Sequence, residues 1–205
     1  MNLREIAAGV EYLRGRDPVL AAVIERVGNF SLQPEPDIFK SLVRAIIAQQ
    51  ISTSAARSIY KRLTALAGAE EQLLFALTRL SLEELRAAGV SLQKAQYLKD
   101  LAEKVSQKVV DLNRVSQLTN EQIIAELTLV KGVGVWTAQM LLIFSLGRLD
   151  VFPGGDLGIR TAIKNLYRRR ALPTKPRQLR KFEKLWQPYA SIASWYCWRS
   201  LEFED

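Results

Sequence analysis

Apolar residues recur at spacings of three and four along most of the chain, which is the pattern of amphipathic α-helices. The stretch after Asp37 shows it clearly, because one helical face there would collect Phe39, Leu42, Val43, Ile46 and Ile47. Strict alternation of apolar and polar residues, which would indicate half-buried strands, is not found in the sequence. The pattern predicts an all-α fold in which short connections make neighbouring helices antiparallel.

Capping residues mark where several of these helices begin. Asp17 followed by Pro18 predicts a helix start, since aspartate accepts first-turn amide hydrogens and proline is tolerated in the first turn. Two further starts are predicted by capping boxes, namely Ser81 with Glu84 and Thr119 with Gln122. We predict N-terminal helices over 1–36 that pack on a C-terminal lobe, a helical bundle over 37–112, and a second lobe over 113–205.

The charge of the chain fits a polyanionic partner. Lys and Arg number 29 against 21 Asp and Glu, which gives a net charge of +8 and a pI near 9.7. Nucleic acid is one such partner, although many basic proteins have none. A basic run from Arg168 to Lys181 either lies along phosphates or forms a solvated surface.

Residue types that are missing from the sequence exclude several kinds of chemistry. The chain has no histidine, so Ser-His-Asp, Cys-His and histidine-metal sites are excluded. Cys197 is the only cysteine, which excludes an internal disulfide and a cysteine-ligated metal site. Catalysis would have to come from carboxylates, lysines, tyrosines or backbone dipoles. The sequence has no apolar run long enough for a membrane span and no secretory leader, so a soluble cytosolic protein is expected.

Two glycines interrupt the segment Leu127–Leu142, LTLVKGVGVWTAQMLL, between two predicted helices. Gly132 and Gly134 would let the backbone approach a flat surface, and the first amides of the helix near Trp136 would point outward. Such amides at the positive end of a helix dipole suit a phosphate. The hairpin could therefore hold DNA without reading its sequence, although glycines also end ordinary helix–helix turns.

A second glycine-rich stretch, Asp150–Arg160, reads DVFPGGDLGIR and contains Asp156. An aspartate in that place suits the N-cap of the helix that follows. It also suits a catalytic carboxylate, and one side chain can do both.

Both stretches resemble the helix-hairpin-helix DNA glycosylases whose glycine/proline-rich loop ends in an aspartate. Three others resemble the alkylation-repair branch of that superfamily, the DNA-3-methyladenine glycosylase II class: DPVLAAVIERVG, FKSLVRAIIAQQIS and GVSLQKAQYLKDLA. The resemblance runs from about Asp17 to Trp198, and it departs from the family at Lys131, where proline is usual. It implies two helical lobes with an active-site cleft between them.

The resemblance also implies roles for individual residues. Asp156 would be the catalytic carboxylate. Trp136 stands where lyase-competent relatives carry a Schiff-base lysine, which implies a monofunctional enzyme that uses water. The hairpin residues expected to contact DNA are Lys131, Gly132, Val133 and Gly134.

The lesion pocket implied by the resemblance is lined by Trp136, Trp198, Tyr196 and Met140, whereas Trp186 and Trp195 are expected in the core. Gln50 or Ile51 would fill the gap left by a flipped nucleotide, although Gln49 and Gln50 also suit a solvated helix end. The hairpin is a candidate site for Na⁺ or K⁺, held by the backbone carbonyls of Thr128, Val130 and Val133. No other cofactor is expected.

The leading hypothesis is a base-excision-repair glycosylase that flips out alkylated purines of the 3-methyladenine and 7-methylguanine type and hydrolyses their N-glycosidic bond, leaving an abasic site. One alternative is a non-catalytic helix-hairpin-helix DNA-binding protein. Another is a glycosylase for deaminated or oxidised bases. The expected partner is duplex DNA containing alkylated bases, bound by a monomer away from any membrane, in the nucleoid or the nucleus according to the organism.

Overall fold

The computed structural model describes residues 2–203, and no strand occurs within that range. Two short 3-10 helices, Glu70–Gln72 and Val115–Gln117, accompany the α-helices. The α-helices are α1 (Leu3–Arg16), α2 (Pro18–Val27), α3 (Ile38–Ala48), α4 (Thr53–Leu66), α5 (Leu73–Arg79), α6 (Leu82–Ala87), α7 (Leu92–Ser106), α8 (Asn120–Leu127), α9 (Val135–Phe144), α10 (Leu157–Leu166), α11 (Pro176–Trp186) and α12 (Ala190–Ser200). The predicted all-α class is confirmed.

The helix starts that were predicted from capping residues are also confirmed. Asp17 caps α2 by accepting from the amides of Val19 and Leu20, both at 3.1 Å. Asp37 caps α3. Both capping boxes are formed, at the first turns of α6 and α8. These bonds satisfy amide hydrogens that a helix leaves without an intrahelical acceptor.

The helices form two compact units. The terminal unit contains residues through Pro34 together with those from Leu142 onward, and the central unit is Glu35–Leu141. This division differs from the predicted boundary at residue 113, because residues 113–141 lie in the central unit. Two hydrogen bonds join residues on the two sides of position 113 within the central unit: the Glu126 carboxylate accepts from the Asp111 amide at 2.6 Å, and the Asp100 carboxylate accepts from the Lys131 amide at 2.8 Å.

The terminal unit has its own core, in which α1, α2, α10 and α11 each contact α12. Asp17 lies buried in it and accepts from the Trp186 indole N–H at 2.9 Å and from the Tyr167 hydroxyl. Burial and the neighbouring carboxylate raise the pKa of the Tyr167 phenol, so it remains a donor. A buried carboxylate is thereby fully engaged in hydrogen bonds, as its burial requires.

The central unit is organised by α7, which packs against α3, α5 and α6. The predicted apolar face of α3 is buried there through Leu42, Val43, Ile46 and Ile47. Between residues 2 and 203, none of the helices combines the length and the apolar character needed to cross a membrane.

Candidate active site and nucleic-acid interface

Asp156 lies at the junction of the glycine loop and α10, partly exposed to solvent. Its Oδ1 accepts from the Ile159 amide at 2.9 Å, so it caps the helix as expected from the sequence. The loop before it is a tight turn in which the Asp156 amide donates to the Pro153 carbonyl at 2.9 Å. The Arg160 Nε then donates to the Gly154 carbonyl at 2.8 Å, which ties the loop to α10. The carboxylate is therefore held on a rigid element at the positive end of a helix dipole.

Trp198 of α12 contacts the same carboxylate. Its indole Nε1 donates to Asp156 Oδ1 at 2.9 Å, and its ring lies 5.5 Å from the ring of Phe144. Gly158 makes this approach possible, since a Cβ there would lie 3.0 Å from both Asp156 Oδ1 and Trp198 Cδ1. The resemblance placed Trp198 in the lesion pocket, but the sequence did not predict its hydrogen bond to Asp156, which is 42 positions away.

Three other aromatic residues near the C-terminus belong to the core: Trp186 at the end of α11, and Trp195 and Tyr196 of α12. Trp186 and Trp195 are buried, which confirms their expected placement. The pocket position predicted for Tyr196 is wrong, because its ring is 0% exposed and its hydroxyl donates to the Gly28 carbonyl at 2.9 Å. A side chain enclosed in this way has no surface to offer a base.

The hairpin of the central unit has the predicted boundaries. Helix α8 ends at Leu127 with Thr128 as its C-cap, and α9 begins at Val135. Gly132 has a φ of +80°, and a Cβ there would lie 2.1 Å from Cδ2 of Tyr97. The fold therefore requires glycine at 132, for both the backbone conformation and the contact with α7.

Gly134 is different, because the fold does not require glycine at this position. A Cβ at Gly134 would meet no atom within 4 Å, apart from its immediate chain neighbours. Its carbonyl accepts from the Ala138 amide at 3.0 Å, which makes Gly134 the N-cap of α9. The open space beside this N-cap is what a phosphate approaching a helix N-terminus would need.

The remaining hairpin residues have distinct environments. The Lys131 side chain is 71% exposed, while its amide donates to Asp100. Val133 is buried, so only its backbone is available to a partner. Trp136 is 50% exposed and Met140 is partly buried. Trp136 and Met140 lie in the central unit, and their assignment to the lesion pocket stays a prediction.

The hairpin carbonyls have the donor chemistry that a monovalent cation needs. Neutral carbonyl oxygens are suitable donors for Na⁺ or K⁺, and a carbonyl has two lone pairs. The Val130 carbonyl already accepts from the Val133 amide at 3.1 Å, which leaves it one lone pair. The donor chemistry fits such an ion. Within residues 2–203, no group of three or more His, Cys, Asp or Glu side chains is placed to bind a metal ion.

A tight turn follows α3. Gln50 is exposed and has a φ of +57°, a left-handed conformation that is unfavourable for a residue with a long side chain, and Ile51 is 38% exposed. Gln49 is engaged with the hairpin, because its Nε2 donates to the Gly132 carbonyl at 2.8 Å. The sequence placed Gln49 at an interruption of an apolar face and did not predict this contact.

Comparisons with known proteins identify the class of protein. The family model described as HhH-GPD superfamily base excision DNA repair protein matches residues 43–188. That match covers most of the chain. The protein belongs to the helix-hairpin-helix superfamily of base excision DNA repair proteins.

Individual relatives show which branch of this superfamily the chain is similar to. DNA-3-methyladenine glycosylase 1 of Schizosaccharomyces pombe is 33% identical over 95% of this chain and 87% of its own length. The crystal structure of a DNA-3-methyladenine glycosidase from Bacillus halodurans matches with a TM-score of 0.86 and 36% identity, over 95% of this chain and 89% of that one. The S. pombe 3-methyladenine DNA glycosylase in complex with abasic DNA matches with a TM-score of 0.83 and 30% identity, over 96% and 97%. The predicted fold and the resemblance to the alkylation-repair branch are confirmed.

Proposed function

We propose that this protein is a monofunctional DNA glycosylase of base excision repair that removes alkylated purines, of the 3-methyladenine and 7-methylguanine type, from duplex DNA and leaves an abasic site. The observation that carries this proposal is the carboxylate of Asp156, which accepts from both the α10 amide of Ile159 and the Trp198 indole. The similarity to proteins named DNA-3-methyladenine glycosylase supports the substrate class.

The chemistry that we propose needs few groups. Methylation at N3 or N7 makes a purine cationic, so the base leaves as a neutral molecule when the C1′–N bond breaks and its electron pair moves to the purine. Positive charge then develops on the sugar, and the Asp156 carboxylate stabilises it. Water adds to C1′ and loses a proton, which gives the abasic sugar. A good leaving group removes the need for a strong general acid, which suits a chain without histidine.

The target base must leave the helix stack before this reaction can occur. We assign the hairpin to the phosphate backbone, through the exposed α9 N-terminus at Gly134 and the Lys131 side chain. We assign the Gln50–Ile51 turn to the gap left by the base. Thr128, Val130 and Val133 would hold a monovalent cation, which would add positive charge where a phosphate approaches. The net charge of +8 favours a polyanion as the partner, and we propose that one chain acts alone on the duplex.

A panel of duplexes, each with a single lesion, tests this function. We expect purified protein to release 3-methyladenine and 7-methylguanine as free bases and to leave an intact strand that breaks only after alkali. Borohydride should trap no covalent adduct, because Trp136 occupies the position of the lyase lysine. The measurement is base release by chromatography together with strand scission on a denaturing gel.

Other outcomes of the panel would identify a different function. Excision confined to deaminated or oxidised bases would contradict the substrate class. Tight binding of duplex without release of any base would indicate a non-catalytic DNA-binding protein. A borohydride-trapped adduct would show that a lysine, with Lys131 as the first candidate, reaches C1′.

Two substitutions of Trp198 separate its contact with the base from its contact with Asp156. Trp198→Phe keeps an aromatic face but removes the N–H donor, and it should slow excision of cationic and neutral lesions alike by about tenfold, the value of one hydrogen bond to a charged group. Trp198→Leu also removes the aromatic face. It should slow cationic lesions by a further 3- to 30-fold, roughly, since a cation stacked on an aromatic ring gains about 0.5–2 kcal/mol.

Single-turnover rates on 7-methylguanine and hypoxanthine duplexes would measure both effects, with the melting temperature of each variant as the control for folding. Equal rates for the Phe and Leu variants on the cationic base would show that Trp198 does not stack on it.

A further inference from the structure

One face of α7 carries three side chains that contact the proposed DNA-binding elements of the same unit. Lys94, Tyr97 and Asp100 follow one another at three-residue spacing, which places them on neighbouring turns of one helical face. Lys94 reaches the turn after α3, and Tyr97 and Asp100 reach the hairpin. None of the three was singled out as functional by the sequence.

Lys94 holds the end of α3. Its Nζ donates to the Ile47 carbonyl at 2.8 Å and to the Gln49 carbonyl at 2.6 Å. Carbonyls in the last turn of a helix lack intrahelical donors, and a cation there complements the negative end of the helix dipole. Burial lowers the pKa of Lys94, so its ammonium is kept at some cost in solvation. The bonds to two carbonyls are what offset that cost.

Gln49 is held from two sides as a consequence. Lys94 binds its backbone carbonyl, and its side chain donates to the Gly132 carbonyl in the hairpin at 2.8 Å. The next residue, Gln50, has the left-handed φ of +57°. Such a conformation persists only where the surroundings determine it, and the two bonds at Gln49 supply that determination.

The hairpin is fixed to the same face of α7. The Asp100 carboxylate accepts from the Lys131 amide at 2.8 Å, and the Tyr97 ring packs where a Cβ of residue 132 would lie. Burial alone would raise the pKa of Asp100, but hydrogen bonds from Lys104 and from the Lys131 amide outweigh it and lower that pKa. Asp100 therefore stays ionised at neutral pH and keeps accepting from the hairpin backbone.

We propose that Lys94 and Gln49 are positioning residues for base flipping, because they fix the Gln50–Ile51 turn at a set distance from the phosphate-binding hairpin. This inference rests on the proposed glycosylase function. A paired base leaves the duplex only if a few kcal/mol of unstacking and unpairing is supplied. Binding energy gained at the hairpin can drive base flipping only when the Gln50–Ile51 turn is held rigidly against the hairpin. A loosened turn would let the hairpin bind while the base stays stacked.

The test compares Lys94→Met and Gln49→Met with Lys99→Met as the matched control. Lys99 lies on the same helix, and its Nζ also donates to two carbonyls at a helix end, those of Thr78 at 3.0 Å and Leu80 at 2.8 Å, away from the turn and the hairpin. Single-turnover excision of 7-methylguanine is measured opposite cytosine and opposite an abasic site. Flipping is followed independently by the fluorescence of 2-aminopurine placed next to the lesion.

The two test variants should slow excision opposite cytosine by about tenfold, the equivalent of one charge-assisted hydrogen bond. Opposite an abasic site, where no pairing opposes flipping, they should stay within about twofold of the unsubstituted protein, and their 2-aminopurine signal should fall only in the paired duplex. Lys99→Met should change neither the ratio of its excision rates on the paired and unpaired duplexes nor its 2-aminopurine signal, whatever its melting temperature.

Each other result has one meaning. If Gln49→Met, a substitution at a partly exposed position, keeps the paired-to-unpaired ratio of the unsubstituted protein, the positioning role is wrong while the glycosylase function stands. The same conclusion follows if Lys99→Met lowers the ratio as much as Lys94→Met does, because helix-end stability alone would then explain it. If the unsubstituted protein excises nothing from either duplex, the proposed function itself fails.

Discussion

Asp156→Asn is expected to slow excision of 7-methylguanine by about 100-fold or more, the scale for removing one electrostatic stabiliser of a transition state, without weakening duplex binding. Asparagine keeps an oxygen that can accept from the Ile159 amide and the Trp198 indole, which both donate to Oδ1 in Asp156. The substitution therefore removes the charge and preserves the helix cap. Single-turnover rates, duplex affinity and melting temperature, measured on the same preparation, separate these contributions.

The chain offers a matched control in Asp17. This aspartate also caps a helix and also accepts from an indole N–H, that of Trp186 at 2.9 Å, but it is buried in the core of the terminal unit. Asp17→Asn should lower the melting temperature and keep the excision rate per folded molecule. Asp156→Asn should do the reverse. Near-normal excision by Asp156→Asn would remove Asp156 from the catalytic role, whatever happens at Asp17.

The similarity of these two aspartates shows what the sequence could and could not predict. Both were predicted as helix caps, because a cap depends on a donor two or three residues away. The same local rule gave the starts of α3, α6 and α8. Which aspartate lies in a core and which lies at a functional loop depends on residues more than 40 positions away, such as Trp198 for Asp156.

Tyr196 was misplaced for a related reason. Eight consecutive residues of α12, from Ala190 to Cys197, are buried, so the helix has no polar face to indicate its orientation. Without an amphipathic stripe, the 3.6-residue period cannot tell an aromatic residue that faces a pocket from one that faces the core. Trp198 is the first partly exposed residue after that run, and only the structure distinguishes it from Tyr196.

The contacts that connect the turn after α3 with the hairpin could not be predicted from the sequence either. Gln49 and Gly132 are 83 positions apart, and the bond between them joins a side chain to a backbone carbonyl. A backbone acceptor carries no signature in residue type. The two glycines of the hairpin look alike in the sequence as well, although the fold requires glycine at only one of them.

That difference between the glycines yields the second large effect, since Gly134→Val is expected to weaken duplex binding by about 10- to 100-fold, while the poorer N-cap costs only about 1 kcal/mol of stability. A Cβ at 134 would meet no atom within 4 Å apart from its chain neighbours, so a valine side chain there would occupy the open approach to the α9 N-terminus. Losing the charge-assisted hydrogen bonds of one phosphate corresponds to about 1.5–3 kcal/mol. All duplex sequences should be affected alike, because phosphate contacts carry no base information.

Gly132→Val is the matched comparison, and it should act through folding. Its Cβ would lie 2.1 Å from the Tyr97 ring on a backbone with a φ of +80°, so the hairpin would have to move and the melting temperature should fall. Fluorescence anisotropy with undamaged duplexes at several salt concentrations gives the decisive measurement. Because Gly134→Val removes no positive charge, its plot of log affinity against log salt concentration should keep about the same slope and be shifted to weaker affinity. An unchanged affinity in a stable Gly134→Val protein would mean that no phosphate binds at this N-terminus, and the DNA contact would then have to be sought along the basic run between Arg168 and Lys181.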